Sequence, residues 1–305
     1  MARRLLNAPC MRNIALASIL ICSSAYAAAP VVGGTAVKPG EWPEVALVVA
    51  PQALCSGTLI APDLVLTAGH CIETHPFEVI IGTIDFSKPG GERIPVANAI
   101  AYPNWQHAFD VGVLVLAHPS AAKPRELACG NDLKSGSMVH VVGFGLTSAT
   151  GKGDNSVLHE ADMKVTDAAC TRMEACNPAI APDGELAAGG LGTDSCFGDS
   201  GGPAFLKTAA GTAVLGVVSR GTGTSSEPCS GGGIYERADR VAAWIEKTTH
   251  RTLSQMACDG KADDPAREST GVGCSAGGEL TGGGLLVLLV GALWVYNSRA
   301  CRKSR

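Results

Sequence analysis

The body of this 305-residue chain has no cluster of basic residues. With 24 Lys and Arg against 28 Asp and Glu, a net charge of −4 and a pI near 6.0, it offers no electrostatic footprint for nucleic acid. It has no CxxC pair and no Cys/His ligand cluster, which argues against a zinc centre. Internal repeats and low-complexity tracts are also missing, and the glycine-rich stretches "GFGLTS" and "GTGTSS" lack the third glycine and the strand-to-helix setting of a phosphate loop. We therefore expect no metal, no cofactor and no nucleic-acid partner. What is present is 46% hydrophobic residues, 17% charged residues and 38 glycines, a composition that buries at least one full core in one or two domains.

Charge does gather at the two ends. Arg3, Arg4 and Arg12 flank the apolar run "IALASILICSSAYA", and Ala25 and Ala27 supply the small residues of a signal-peptidase site. Residues 1–27 thus read as a secretory signal cleaved after Ala27. At the other end an apolar stretch of about 15 to 18 residues, short for a transmembrane helix, is followed by Arg299, Arg302, Lys303 and Arg305. Residues 274–305, with Cys274 in "GVGCSAGG", resemble the C-terminal sorting signals of myxobacterial surface proteins. That resemblance implies a secreted or surface-held protein whose tail reaches a membrane.

Setting aside Cys10, Cys22, Cys274 and Cys301 leaves Cys55, Cys71, Cys129, Cys170, Cys176, Cys196, Cys229 and Cys258. An even set in an exported chain favours disulfides, and spacing alone leaves too many pairings to assign.

Short apolar runs such as "VALVVA", "LVLTA", "VGVLVLA", "MVHVVGFG" and "AVLGVVS", separated by Gly, Pro, Asn and Asp, predict many short strands and an antiparallel barrel or sandwich. Only "RADRVAAWIEKTT" has a helical period, with Val241, Trp244 and Ile245 on one face. The polar stretch Asp259 to Gly273 reads as a spacer, and we place a linker over 251–273.

Three local sequences carry chemistry together: "LTAGHC" around His70, "FDVGVLVL" around Asp110 and "DSCFGDSGGP" around Ser200. A serine hydroxyl attacks only when a base takes its proton, and histidine serves best when a buried carboxylate fixes its tautomer. Alone, His70 reads as a structural histidine, Asp110 as a turn residue and Ser200 as part of a tight turn. In this order and context the three resemble the trypsin-like, chymotrypsin-fold serine proteases over residues 31–250.

That resemblance implies an all-β fold of two antiparallel six-stranded barrels with one C-terminal helix and the active site between the barrels. It makes His70, Asp110 and Ser200 the catalytic residues, and the N–H groups of Gly198 and Ser200 the oxyanion hole. Asp194 falls where the family carries the carboxylate at the floor of its primary pocket, with Ser195, Ser219, Gly221 and Gly233 around it, so cleavage after Arg or Lys is expected. Arg220 stands where the family usually has tryptophan, which predicts a more positive cleft, and "TGTSSEP" lengthens the pocket rim. The family pairs Cys55 with Cys71 and Cys196 with Cys229. Cys176 is the substitute partner for Cys170, which leaves Cys129 with Cys258.

The family is switched on when a cut frees a new amine that pairs with the aspartate before the nucleophile, here Val31 and Asp199. Residues 28–30 are then a short propeptide, and Pro30 calls for a proline-tolerant trimming peptidase rather than a tryptic one. The expected function is that of an exported serine endopeptidase acting on proteins or peptides. The alternatives are a protease of non-tryptic specificity and a non-catalytic module that keeps the fold.

Overall fold

The computed structural model describes residues 30–130 and 133–256. The expected signal, the first two propeptide residues, Cys258, Cys274 and the tail lie outside the described residues.

Thirteen strands frame the described residues. After β1 (Thr35–Ala36) come β2 (Val45–Val49), β3 (Leu54–Ala61), β4 (Leu64–Thr67), β5 (Glu78–Ile81), β6 (Glu92–Ala101) and β7 (Gly112–Leu116). The last six close an antiparallel barrel in the order β2-β3-β4-β7-β6-β5. The remaining strands are β8 (Met138–Gly143), β9 (His159–Asp167), β10 (Glu185–Ala188), β11 (Pro203–Thr208), β12 (Gly211–Gly221) and β13 (Gly233–Arg237). They form a second ring, β9-β10-β13-β12-β11-β8, closed because β8 also pairs with β9, while β1 adds to β9 through Thr35 and Glu160. The expected pair of six-stranded barrels is what the chain forms.

The apolar runs seen in the sequence become β2, β4, β7, β8 and β12. Closure hides backbone edges and gives each barrel an interior for alternate side chains. β9 shows the alternation most plainly, burying Ala161, Met163 and Val165 while Asp162 and Lys164 face outward. The C-terminal helix runs Ala238–Thr249, burying Val241, Ala242 and Ile245. Trp244 is half-buried, with its ring 4.9 Å from that of Tyr102. Asp239 in its first turn receives two hydrogen bonds from the buried Arg237 guanidinium, at 2.8 and 2.7 Å.

One boundary differs from expectation. Residues 251–256, assigned to the linker, pack against the body: Leu253 and Met256 are buried, and Leu127 exchanges backbone bonds with Ser254 and Met256. The Arg251 guanidinium pairs with Asp63. Two apolar side chains, four and seven residues beyond the helix, are too few to register as a period, so the sequence hides this docking. Among the described residues no helix is long and apolar enough to cross a membrane.

Candidate active site

His70 lies on the short helix Gly69–Ile72 that follows β4, and Asp110 lies just ahead of β7, the partner of β4 through Thr67 and Gly112. Neighbouring strand ends therefore bring them together. The His70 ring Nδ1 is 2.8 Å from Asp110 Oδ2, and the His70 backbone N–H donates to Oδ1 at 2.8 Å. Ser219 Oγ donates to the same Oδ2 at 2.7 Å. Burial alone would raise the Asp110 pKa, but the bonds and charge of His70, with Ser219, outweigh it and hold the carboxyl below its usual range. With the hydrogen on Nδ1, Nε2 is left as a proton acceptor.

The loop that carries Ser200 is set by its carbonyls. The carbonyl of Phe197 accepts from Leu146 N–H at 2.9 Å, that of Gly198 from the Ser56 hydroxyl at 2.8 Å, that of Asp199 from Gly202 N–H at 2.8 Å and that of Ser200 from Ser56 N–H at 2.8 Å. In a trans peptide the next N–H points opposite to the carbonyl. Holding the Phe197 and Asp199 carbonyls thus aims the N–H groups of Gly198 and Ser200 away from these acceptors, on a stretch that lines the cleft. Gly198 has φ +102°, and a Cβ there would sit 2.6 Å from the Phe144 carbonyl oxygen, so only glycine fits.

Asp199 is wholly buried. Its oxygens accept from Gly145 N–H at 2.8 Å and Cys196 N–H at 2.9 Å, and burial pushes its pKa up to about 7. A Cβ on Gly143 or Gly145 would approach the carboxylate to 2.2 Å, so the glycines of "GFG" make its room. Val31 is buried in the core of the second barrel, at φ +37°, a strained setting for a β-branched residue.

Asp194 is also buried, and its N–H donates to the carbonyl of Val32 at 2.9 Å. Oδ2 accepts from Gly232 N–H at 2.7 Å, whereas Oδ1 is buried with no hydrogen-bond partner. Burial raises this carboxyl to about 6. Gly221 and Gly233 face each other across β12 and β13, and a Cβ on Gly233 would meet Ser195 Oγ at 2.8 Å. The 222–228 loop is largely exposed and folds on itself, with the Thr222 hydroxyl on the Gly231 carbonyl at 2.7 Å.

Arg220 does not make the cleft more positive as a free charge. Its Nη2 lies 2.6 Å from Glu185 Oε1 and 2.7 Å from the Ala175 carbonyl, and Nη1 lies 3.3 Å from Glu236 Oε1 and 3.0 Å from Ser219 Oγ. Both glutamates are buried. Burial, followed by the neighbouring Glu185 carboxylate, pushes Glu236 well above its usual range. Sequence reading missed these acids because nothing local marks them as internal.

The bridges Cys55–Cys71, Cys170–Cys176 and Cys196–Cys229 are formed. Cys129 is disulfide-bonded too, and its expected partner Cys258 lies outside the described residues. His70, Gly198 and Ser200 line one cleft of about 570 Å³, along with Leu54, Leu146 and the exposed Phe197. A larger cavity, about 840 Å³, is lined by Trp42, Arg125, His140, Glu160 and Lys207 and touches none of the expected catalytic residues. Ser56, which tethers the Ser200 loop, was likewise missed; its place in β3 beside Cys55 is the only local hint.

The family model described as Trypsin matches residues 31–245. Phenoloxidase-activating factor 3 of Holotrichia diomphalia is 29% identical over 257 residues, covering 71% of this chain and 72% of its own. Coagulation factor XII of Sus scrofa is 31% identical over 250 residues, 72% of this chain but 39% of that much longer protein.

Proposed function

Because the chain belongs to the trypsin family and is a serine-type endopeptidase, we propose that it is exported and cleaves proteins or peptides after Arg or Lys, using Ser200, His70 and Asp110. The observation that carries the reading is the His70 Nδ1 contact with a buried Asp110 that Ser219 also holds. Ser200 Oγ attacks the scissile carbonyl carbon while its proton passes to His70 Nε2. The oxygen, now negative, is held by the N–H groups of Gly198 and Ser200. The C–N bond then breaks, Nε2 gives the proton to the leaving amine, and water repeats the sequence on the acyl-enzyme. Removing one such oxyanion donor typically costs about 10²- to 10³-fold in rate.

Specificity rests on Asp194. A buried carboxylate with one oxygen unpaired favours a cationic side chain that enters along the wall formed by the paired Gly221 and Gly233. Activation rests on Asp199, whose buried charge calls for the amine freed when a trimming peptidase exposes Val31. The tail 274–305 tethers the protein to a membrane in this account, and the intact mass and N-terminal sequence of the cell-derived protein report both ends.

The test is labelling by a serine-reactive phosphonate, followed by turnover of Arg, Phe and Ala peptides. Labelling that vanishes in Ser200→Ala, with Arg turned over fastest, supports the reading. A protein that neither labels nor cleaves is the fold without the chemistry, and one that prefers Phe or Ala keeps the chemistry but not the pocket assignment.

A further inference from the structure

Resting on that reading, we infer that Arg220 is a positioning residue for the Asp110–His70 pair, acting through the Ser219 hydroxyl, and that the buried Glu185 and Glu236 hold its guanidinium in place. Ser219 has one hydroxyl hydrogen, and it is directed to Asp110 Oδ2 at 2.7 Å. Arg220 Nη1, 3.0 Å away, donates to the lone pair of that oxygen, so the rotor has one satisfied orientation. Without this donor, the hydroxyl is free to turn toward another acceptor, and Asp110 loses one of the bonds that fix its plane against the imidazole.

The guanidinium is itself immobilised from three sides. Nε and Nη2 both donate to the Ala175 carbonyl, at 3.2 and 2.7 Å, within the loop closed by Cys170–Cys176. Nη2 also reaches Glu185 Oε1 at 2.6 Å, and Nη1 reaches Glu236 Oε1 at 3.3 Å. Glu185 Oε2 accepts from Asn177 N–H at 2.7 Å, and the Asn177 side chain donates to the Ala108 carbonyl, two residues before Asp110. Glu185 has both carboxylate oxygens paired, through Arg220 and Asn177, whereas Glu236 gives Arg220 a single oxygen and keeps Oε2 buried without a hydrogen-bond partner. Every nitrogen of Arg220 is occupied inside the protein, so an acidic substrate side chain gains little from it.

The test is a double-mutant cycle on the enzyme trimmed to Val31, with a single-residue substrate too short to touch the extended cleft. R220Q should lower kcat roughly tenfold, the size of one hydrogen bond's contribution, with KM nearly unchanged. In an S219A background the same substitution should cost less than about twofold, because the route is already cut. Equal losses with and without Ser219 would overturn the inference, as would an unchanged kcat with a raised KM confined to longer peptides. If R220Q strands the two glutamates and does not fold, R220Q/E185Q/E236Q removes the charges together and enters the same cycle. Wild-type turnover is read separately: an inactive wild type defeats the protease reading, and this inference with it, whereas an active wild type with additive losses defeats only the inference.

Discussion

Gly145 donates its backbone N–H to a carboxylate oxygen of Asp199 at 2.8 Å, across a gap in which any Cβ on Gly145 would lie within 2.2 Å of that carboxylate. The fold accommodates the acid sterically but leaves its charge to be balanced. The carboxyl titrates near 7 instead of its ordinary 3.8. With the folded value above the unfolded one, its contribution to stability is whole below about pH 4 and is lost as pH rises through 7. At about 1.4 kcal/mol per unit the loss approaches about 4 kcal/mol. Protein retaining residues 28–30 should therefore melt progressively lower than protein starting at Val31 as pH goes from 5 to 8, and Asp199→Asn should flatten the slope of the longer form. Parallel melting curves for the two forms at every pH would refute the pairing of Val31 with Asp199.

Asp194 titrates near 6, so its negative charge is present at neutral pH and fades as pH falls below that value. KM for Arg peptides should climb steeply below about pH 6, while Ala peptides show no such rise in KM. Asp194→Asn should reduce kcat/KM for Arg peptides by about 10²- to 10³-fold, the range for truncating one side of a buried charge pair.

Ser56 accepts from Phe144 N–H at 3.0 Å while its hydroxyl donates to the Gly198 carbonyl. Ser56→Ala leaves a buried N–H unpaired, at a cost of about 1–3 kcal/mol in stability. It also loosens the peptide plane beside the proposed oxyanion donors. Calorimetry should show the lowered melting point, and kcat should fall roughly tenfold.

A chain ended at His250 lacks the buried Leu253 and Met256 and the Arg251–Asp63 pair. Compared with a chain ended at Met256, it should be less stable by about 3–6 kcal/mol in urea unfolding, at about 1.5–3 kcal/mol for each of the two buried side chains. Equal stability would mean that these six residues do belong to a linker.

What the sequence made legible follows from how local each signal is. "LTAGHC", "FDVGVLVL" and "DSCFGDSGGP" are contiguous, so His70, Asp110, Ser200 and the loop glycines could be named from the string. The barrel strands with concentrated apolar runs, β2, β4 and β7, were equally plain. β9 offers no contiguous apolar run, because Ala161, Met163 and Val165 are separated by Asp162 and Lys164, and in β6 "ERIPVANAIA" mixes polar and apolar residues on a bulged strand. Glu185 in "GELAAGG" and Glu236 in "IYERAD" look like surface acids, and only the pairing of β10 with β13, which sets Glu185 opposite Glu236, turns them inward around Arg220. The expectation of a positive cleft failed for that reason: a charge was read without its partners.

The start of β3 has a consequence for how the enzyme loses activity. Cys55 is bonded to Cys71, next to His70, and the adjacent Ser56 is bonded to Gly198 and Ser200. One dipeptide thus serves as the common mount of His70 and Ser200, the proposed proton acceptor and nucleophile, although these belong to different barrels. Their spacing is insulated from small tilts of one barrel against the other. Heating should leave the rate per active molecule intact until this strand end frays, and inactivation should then be abrupt.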